Sequence, residues 1–419
     1  NSWFDSSGGT TGNPSTGANA TCTYTTDADM FPAVWMYYGS PYGQPFATFN
    51  YGQFIYHGGS DLALSTDAGG YFKYTPPTDY KALQQDNLEE NTAGITGFSW
   101  IKNRDADDSH VLSDRVRGVG LYLESDDNAI EATNFNSVQR FLQQGVQVGN
   151  MDAVNTANES YVLWQWAADA GVVDSDGMTN LSTSATSSIT VGANTTAGFS
   201  IIKYTGNSVS SSTATIAHGI GATPAFILIK NMDNGTYDWQ VYHKSIGPTG
   251  TLSLNSTATV SPSATYFNDG SPAFSNSTFT LGTSVATNNN GDDFIAYVWA
   301  EVAGYSQFGE YTGNGNADGP VINLTFKPAF VLIKATERSN NWHIFDSARN
   351  PYNQITNDAL FPDLNLAEGG TNAIDFGSNF FKLRTAEVWL NASSSNNYIY
   401  AAFAENPFGG SGVNQAKAR

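Results

Sequence analysis

Aspartates cluster at Asp105, Asp107 and Asp108, at Asp126 and Asp127, and at Asp174 and Asp176. Paired carboxylates are what glycoside hydrolysis needs, one as acid and one as base or nucleophile. None of these acids has a partner at a spacing that recurs elsewhere in the chain, so they read as solvated loop groups. Asp174-Ser175-Asp176-Gly177 has the oxygen-rich, turn-forming start of a calcium loop and lacks the later bidentate acid. The histidines, His57, His110, His218, His243 and His343, are scattered, with no HExxH, no pair at helical spacing and no nucleophile elbow. Cys22 is the only cysteine, which excludes an intrachain disulfide and thiolate-based zinc or iron–sulfur sites. No catalytic, cofactor or metal set is nominated, and the chain is expected not to be an enzyme.

Other residues recur in a pattern. Lys102, Lys230 and Lys334 each close an apolar run and are expected to be strand-end cations, stems over the sheet and ammonium groups in water. His243 falls where Asp114 and Asp346 fall, which reads as a polar strand-end position. Trp239 and Trp342 recur beside polar residues; an exposed indole would suit sugar stacking, but core packing is the expected role. Aromatics in irregular segments are better ligand contacts, and Tyr237, Tyr266, Phe267 and Tyr352 are nominated on that ground.

These residues sit on a unit written three times. Pro224-Ala225-Phe226-Ile227-Leu228-Ile229-Lys230 recurs as Pro328-Ala329-Phe330-Val331-Leu332-Ile333-Lys334, and more faintly as Gly97-Phe98-Ser99-Trp100-Ile101-Lys102. A second block follows each, beginning at Ser109, Asp238 and Asn341, and a third at Tyr161, Phe294 and Tyr398. Tyr204-Thr205-Gly206-Asn207 and Tyr311-Thr312-Gly313-Asn314 open the second and third copies; the first lacks that motif and is expected to be shortened or to borrow a strand. A repeat dictates architecture before any single residue argues for chemistry.

The apolar runs are short, β-branched and bounded by Pro or polar residues, and Asn234-Gly235, Asn290-Gly291, Asn314-Gly315 and Asp269-Gly270 mark tight turns. The expected fold is all-β: tandem antiparallel β-sandwich modules, three related repeats, after an N-terminal aromatic-rich β segment and an extended arm. The expected division is residues 1–80 for the arm and aromatic segment, 81–175 for the first, divergent repeat, 176–302 for a linker and the second, 303–408 for the third, and 409–419 for a tail. Residues 171–196, rich in Ser and Thr, read as linker, and 81–91 as a short helix. Each repeat is expected to keep its core local, with recognition in the unshared segments 105–109, 266–274 and 353–370.

Composition narrows the partners. Charged residues are only 13% and aromatics 13% of 419 residues, and the formal net charge is -20 with no basic run. Attachment to nucleic acid or to an anionic membrane is disfavoured. No apolar stretch approaches the roughly 20 residues a membrane span needs.

Gly198-Phe199-Ser200-Ile201-Ile202-Lys203-Tyr204-Thr205-Gly206-Asn207, His218-Gly219-Ile220-Gly221, Phe345-Asp346-Ser347-Ala348-Arg349-Asn350-Pro351-Tyr352 and Ala401-Ala402-Phe403-Ala404-Glu405-Asn406-Pro407-Phe408 resemble repeat modules of unassigned activity found in tail, fibre and other virion structural proteins of marine bacteriophages. Upstream, Tyr71-Phe72-Lys73-Tyr74-Thr75-Pro76-Pro77 and Tyr80-Lys81-Ala82-Leu83 resemble the closing strands of a SPRY-type sandwich. The resemblance implies a virion structural protein on the particle surface: a tail fibre, spike or related appendage. It also implies self-assembly, a trimer by analogy with fibres, docking to other virion proteins through the arm, and contact with host-surface glycans. The alternatives are a capsid decoration or head-fibre protein, a carbohydrate-binding adhesin outside a virion and, last, a polysaccharide depolymerase. The family supplies no catalytic residues.

Overall fold

The structure, a computed structural model, describes residues 95–207, 213–268, 274–350, 353, 357–371, 373–393 and 396–404, all within one compact unit, Asn91–Arg419. The expectations for the arm, the aromatic and SPRY-like segments, the helix at 81–91 and the tail lie outside the described residues. The fold is all-β and antiparallel, with helix confined among the described residues to three single turns.

Each repeat is built on an inner strand: Thr96–Asn103, Pro224–Asn231 and Pro328–Ala335. On one side it pairs with the second-block strand, Val111–Asp114, Gln240–His243 or His343–Asp346. On the other it pairs with the closing strand, Tyr161–Ala167, Asp293–Ala300 or Asn397–Ala404. Every residue of the three inner strands is buried, which is why they read as unbroken apolar runs rather than alternating ones. All three shift register at their first residues, and in two of them the residue there is Pro, which has no N–H for the ladder. In the first repeat Gly97 stands at the shift, and a Cβ there would run into Ala168.

The Tyr-Thr-Gly-Asn motif ends an opening strand, Phe199–Thr205 or Ser306–Thr312, which lies on the outer edge of the closing strand. Its residues act alike in both copies. Tyr204 stacks on Phe294 at 5.1 Å and Tyr311 on Tyr398 at 5.0 Å. Their hydroxyls donate to the carbonyls of Thr287 and Leu390 at 2.6 and 2.7 Å, pinning the single helical turn of each repeat. Asn207 and Asn314 donate main-chain N–H groups to Asn288 Oδ1 and Asn391 Oδ1. Among the described residues the first repeat has no opening strand, and Tyr161–Ala167 is the edge of its five-stranded sheet.

The expected linker at 171–196 is instead a hairpin. Val172–Asn180 pairs with Thr186–Asn194, which pairs with the opening strand Phe199–Thr205 and extends the second repeat into a ten-stranded sheet. Ser and Thr mask the pattern, yet Met178 and Ile189 are buried and anchor the hairpin.

The repeats also share a core where local cores were expected. One cluster of buried apolar residues runs from Phe98 through Trp299 to Phe403. At its centre Trp166, Trp299 and Phe403, equivalent positions on the three closing strands, form a triangle with ring centroids 5.7, 5.4 and 6.4 Å apart. Phe98, Phe226 and Phe330, equivalent on the inner strands, pack around them at 5.5, 5.5 and 5.9 Å. Second and smaller clusters lie under the outer sheets of the second and first repeats.

The three repeats close into a ring. Glu131 N–H donates to the carbonyl of Met232 at 3.0 Å, Val260 N–H to Thr336 at 2.9 Å and Glu368 N–H to Arg104 at 2.8 Å. Donors and acceptors occupy equivalent positions, so repeat one grips two, two grips three and three grips one.

Candidate functional site

The recurring polar residues meet at the seams between repeats. Lys102, Lys230 and Lys334 are fully buried, contrary to the expected wet ammonium. Lys230 donates to the carbonyls of Asn231, Tyr237 and, across the seam, Asn128 at 2.8, 3.2 and 3.1 Å. Lys334 donates to Asn340 and, across the next seam, Thr257 at 2.6 and 3.0 Å. Lys102 donates to Asn103 and Ala106. The strand ends are closed off because a loop of the neighbouring repeat folds over them. Burial pushes Lys230 and Lys334 down to about 8, partly offset by nearby acids, and lowers Lys102 in the same way.

Trp239 and Trp342 are core residues, as expected, and each also spans a seam: their Nε1–H groups donate to the carbonyls of Glu124 and Ser253 at 2.8 and 2.9 Å. Their main-chain N–H groups are held by Asn255 Oδ1 and Asp363 Oδ1, and His110 N–H, equivalent in the first repeat, by Asp126 Oδ1. Burial pushes Asp363 and Glu124 up to about 7 and raises Asp126.

Asp114 and Asp346 stand at strand ends, as expected, and are buried ion-pair partners. Asp114 binds Arg117 at 2.5 Å, and Arg117 reaches Glu131 at 3.3 Å. Asp346 binds Arg349 at 2.6 Å, and Arg349 reaches Glu368 at 2.7 Å. Tyr297 Oη and Trp164 Nε1 of the adjacent repeats donate to Asp114 and Asp346. Burial works against the Arg117 guanidinium, yet Asp114, Tyr297 and Glu131 hold it above its ordinary value. In the second repeat the same positions carry His243, Ile246 and Val260; the two aliphatic residues pack on the shared core and His243 Nε2 lies 3.1 Å from the carbonyl oxygen of Tyr400. Burial holds His243 and His218 down to about 4 and His343 to about 3, so all three are neutral at pH 7.

The nominated ligand aromatics do not converge. Phe267 is completely buried in the second repeat's outer core, which overturns its nomination as an exposed contact. Tyr266 is half-buried against that core, and Tyr237 is half-buried beside the seam where its carbonyl accepts from Lys230. Tyr352 lies outside the described residues. Of the segments expected to recognise a partner, 105–109 and the described part of 353–370 face each other across the third seam. Arg104 Nε meets Glu368 at 2.6 Å and Asp107 Oδ1 accepts from Ala367 N–H at 2.8 Å. The acids at 174 and 176 lie on the exposed half of the hairpin, and among the described residues no three His, Cys, Asp or Glu side chains are grouped to hold a metal.

Among the described residues are two open cavities of similar size. One of about 500 Å3 is mainly apolar and lies where Val172 and Val191 part from Ala217 and Gly219. The other, of about 530 Å3, lies along the outer edge of the opening strand Ser306–Thr312, lined by Lys244, Glu301, Gln307, Glu310, Thr325 and Tyr400. Lys244 Nζ meets Glu301 at 2.5 Å, and the same carboxylate oxygen accepts from Phe308 N–H at 3.1 Å. Gln307 Nε2 donates to Tyr400 Oη at 2.9 Å. Sequence reading missed this group because its residues come from four separate stretches.

The family model of a domain of unknown function, DUF7483, matches residues 76–407, most of the chain, and the chain belongs to that family. No curated protein and no solved structure matches it.

Proposed function

We propose that this protein is a virion structural protein of a bacteriophage, a tail fibre, spike or related surface appendage. The observation that carries the reading is the ordered series of blocks, from Gly198-Phe199-Ser200 through Ala401-Ala402-Phe403, that resembles the repeat modules of marine phage structural proteins. Two physical features support it. A core shared by three repeats suits a rigid load-bearing part, because no repeat loosens without disturbing the other two. A weakly charged, acidic composition suits a particle exterior better than a nucleic-acid contact.

In this reading the full chain self-assembles, as a symmetric trimer by analogy with fibres, and docks to other virion proteins through its N-terminal arm. Immunogold labelling of phage particles that carry the chain tests the proposal. Label on an appendage supports it, label spread over the head points to a capsid decoration or head fibre, and label absent from particles points to a free adhesin. Sedimentation of the purified full chain is the second test, with three times the chain mass of 44.9 kDa expected. A monomer under all conditions would sink the appendage reading.

A further inference from the structure

We infer that the cavity along strand Ser306–Thr312 is a binding site for a neutral saccharide. The inference rests on the surface-appendage reading for the source of the ligand, a host-surface glycan, and on the cavity itself for its chemistry.

The cavity exists because of a difference between repeats. In the second repeat the outer edge of the opening strand Phe199–Thr205 is covered by Thr186–Asn194, residue against residue from Phe199 with Asn194 to Tyr204 with Ile189. In the third repeat, among the described residues, the equivalent strand Ser306–Thr312 is the last of its sheet. Its edge is blunted against another strand, since Glu301 already accepts the outward N–H of Phe308 and is itself held by Lys244. What remains is a space of about 530 Å3, within the roughly 300–1,000 Å3 usual for small-molecule sites.

The lining is held in place before any ligand arrives. Gly309 stands opposite Tyr400 in the pairing, and a Cβ there would lie 2.6 Å from the phenol oxygen, so the glycine is what lets the Tyr400 ring lie across the strand. Gln307 fixes that hydroxyl, and Lys244 with Phe308 N–H fixes Glu301. Fixed polar groups bind at a lower ordering cost than free ones.

The groups select the ligand class. Carboxylates at Glu301 and Glu310 accept, as does Gln307 Oε1, whose amide hydrogens go to Tyr400 Oη and the Asn323 carbonyl; the Lys244 ammonium and the Tyr400 hydroxyl donate and Thr325 does both, the mixture that vicinal hydroxyls satisfy. Two carboxylates against one ammonium disfavour phosphate, sialate or uronate groups. An apolar ligand would take water from the Glu310 carboxylate and the outer oxygen of Glu301 without replacing it.

The test is saturation-transfer NMR on the full chain with glucose, galactose, mannose and N-acetylglucosamine, followed by an array of neutral and acidic glycans. Transfer to at least one neutral sugar is expected, with a loss of tenfold or more in affinity in Glu310→Ala and in Thr325→Ala. Both side chains are exposed, so these variants keep the fold, which a wild-type melting curve checks. Transfer to no neutral sugar, binding confined to acidic glycans, or binding unchanged in both variants would each overturn the inference. The measurement needs no particle, so its failure leaves the appendage reading standing, and failure of particle labelling leaves the sugar site standing.

Discussion

Glu131 donates its main-chain N–H to the carbonyl of Met232 at 3.0 Å, and that bond between the first and second repeats is made again by Val260 with Thr336 and by Glu368 with Arg104. Main-chain bonds at equivalent positions hold whatever the side chains become, so the ring is a property of the backbone. Side chains at 131, 260 and 368 are then free to differ, and they do: two acids and a valine. Around the ring each repeat covers the strand-end lysine of the next or its equivalent loop, and the closing-strand aromatics fill the middle. No repeat has both of its seams without the other two.

A two-repeat fragment should therefore fail where the whole chain succeeds. Residues 197–404 alone would expose one face of the Trp166 contact with Trp299 and Phe403, and would leave Trp239 Nε1–H and Lys230 without their partners in the first repeat. The expected outcome is a fragment that aggregates or gives a poorly dispersed amide spectrum, while the full chain unfolds in urea with one main transition for residues 95–404. A fragment with native dispersion and its own cooperative transition would show the repeats to be autonomous.

Much of this was legible in the sequence, and the limit has a physical cause. The inner strands and the buried tryptophans follow from unbroken apolar runs and recurring positions, which are local signals. Lys102, Lys230 and Lys334 read as wet because each ends its run, and nothing nearby in sequence says that Asn128 of another repeat closes over Lys230 or Thr257 over Lys334. Phe267 misled for a related reason: an aromatic in an irregular segment is as free to point inward as outward. The buried ion pairs did leave a trace. Asp114 and Arg117 recur at Asp346 and Arg349 with the same spacing, and the second copy replaces both members together, by His243 and Ile246. A substitution that removes an acid and its base at once is the mark of a pair, while the acid position read alone looked like a polar strand end. The sugar cavity left no trace, because it depends on a strand that one repeat has and another lacks.

That joint replacement predicts how the pairs respond to mutation. Arg117→Ile alone leaves Asp114 and the inner part of Glu131 without a cation, and removing one member of a buried pair costs about 3–5 kcal/mol. Asp114→His with Arg117→Ile and Glu131→Val installs the second repeat's solution in the first. Urea unfolding of the triple variant should recover most of that loss, because a packed apolar substitute for a buried ion pair is often neutral or better. A triple variant no more stable than Arg117→Ile would mean that the ionic group is required at that seam.

The central triangle makes a different prediction. Among the described residues the indole N–H groups of Trp166 and Trp299 have no hydrogen-bond partner, while the equivalent residue in the third repeat is Phe403, which has no N–H to satisfy. Trp299→Ala should cost about 3–5 kcal/mol, the usual loss for an aromatic removed from a core. Trp299→Phe loses volume but also removes an unsatisfied donor, itself a cost of about 1–3 kcal/mol. It should therefore stay within about 1.5 kcal/mol of the wild type in chemical denaturation. Equal losses for Phe and Ala would show that volume alone governs the triangle.

Asp363 should make stability depend on pH, with a sign opposite to that of an ordinary ion-paired carboxylate. Its Oδ1 accepts from Trp342 N–H at 3.0 Å, whereas Oδ2 is buried and, among the described residues, without a hydrogen bond. Burial dominates, and although the Trp342 N–H and Lys334 favour the anion, the carboxyl is pushed up to about 7. The unfolded chain gives up this proton near pH 4 and the folded chain near pH 7, so the folded state holds more protons between them. Stability from this group is then full below about pH 4 and falls as pH rises to about 7. Asn255 occupies the equivalent place in the second repeat, accepts the same bond from Trp239 N–H at 3.0 Å and carries no charge. Asp363→Asn should keep the bond to Trp342 and remove the penalty, raising stability at pH 8 by up to about 4 kcal/mol and leaving it nearly unchanged at pH 4. Glu124 is pushed up to about 7 by burial and shares the sign, so part of the wild-type slope should survive in the variant. Urea titrations of both proteins at pH 4, 6 and 8 measure the difference. An equal shift at all three values would mean that Asp363 is already charged throughout and that Lys334, rather than a bound proton, balances it.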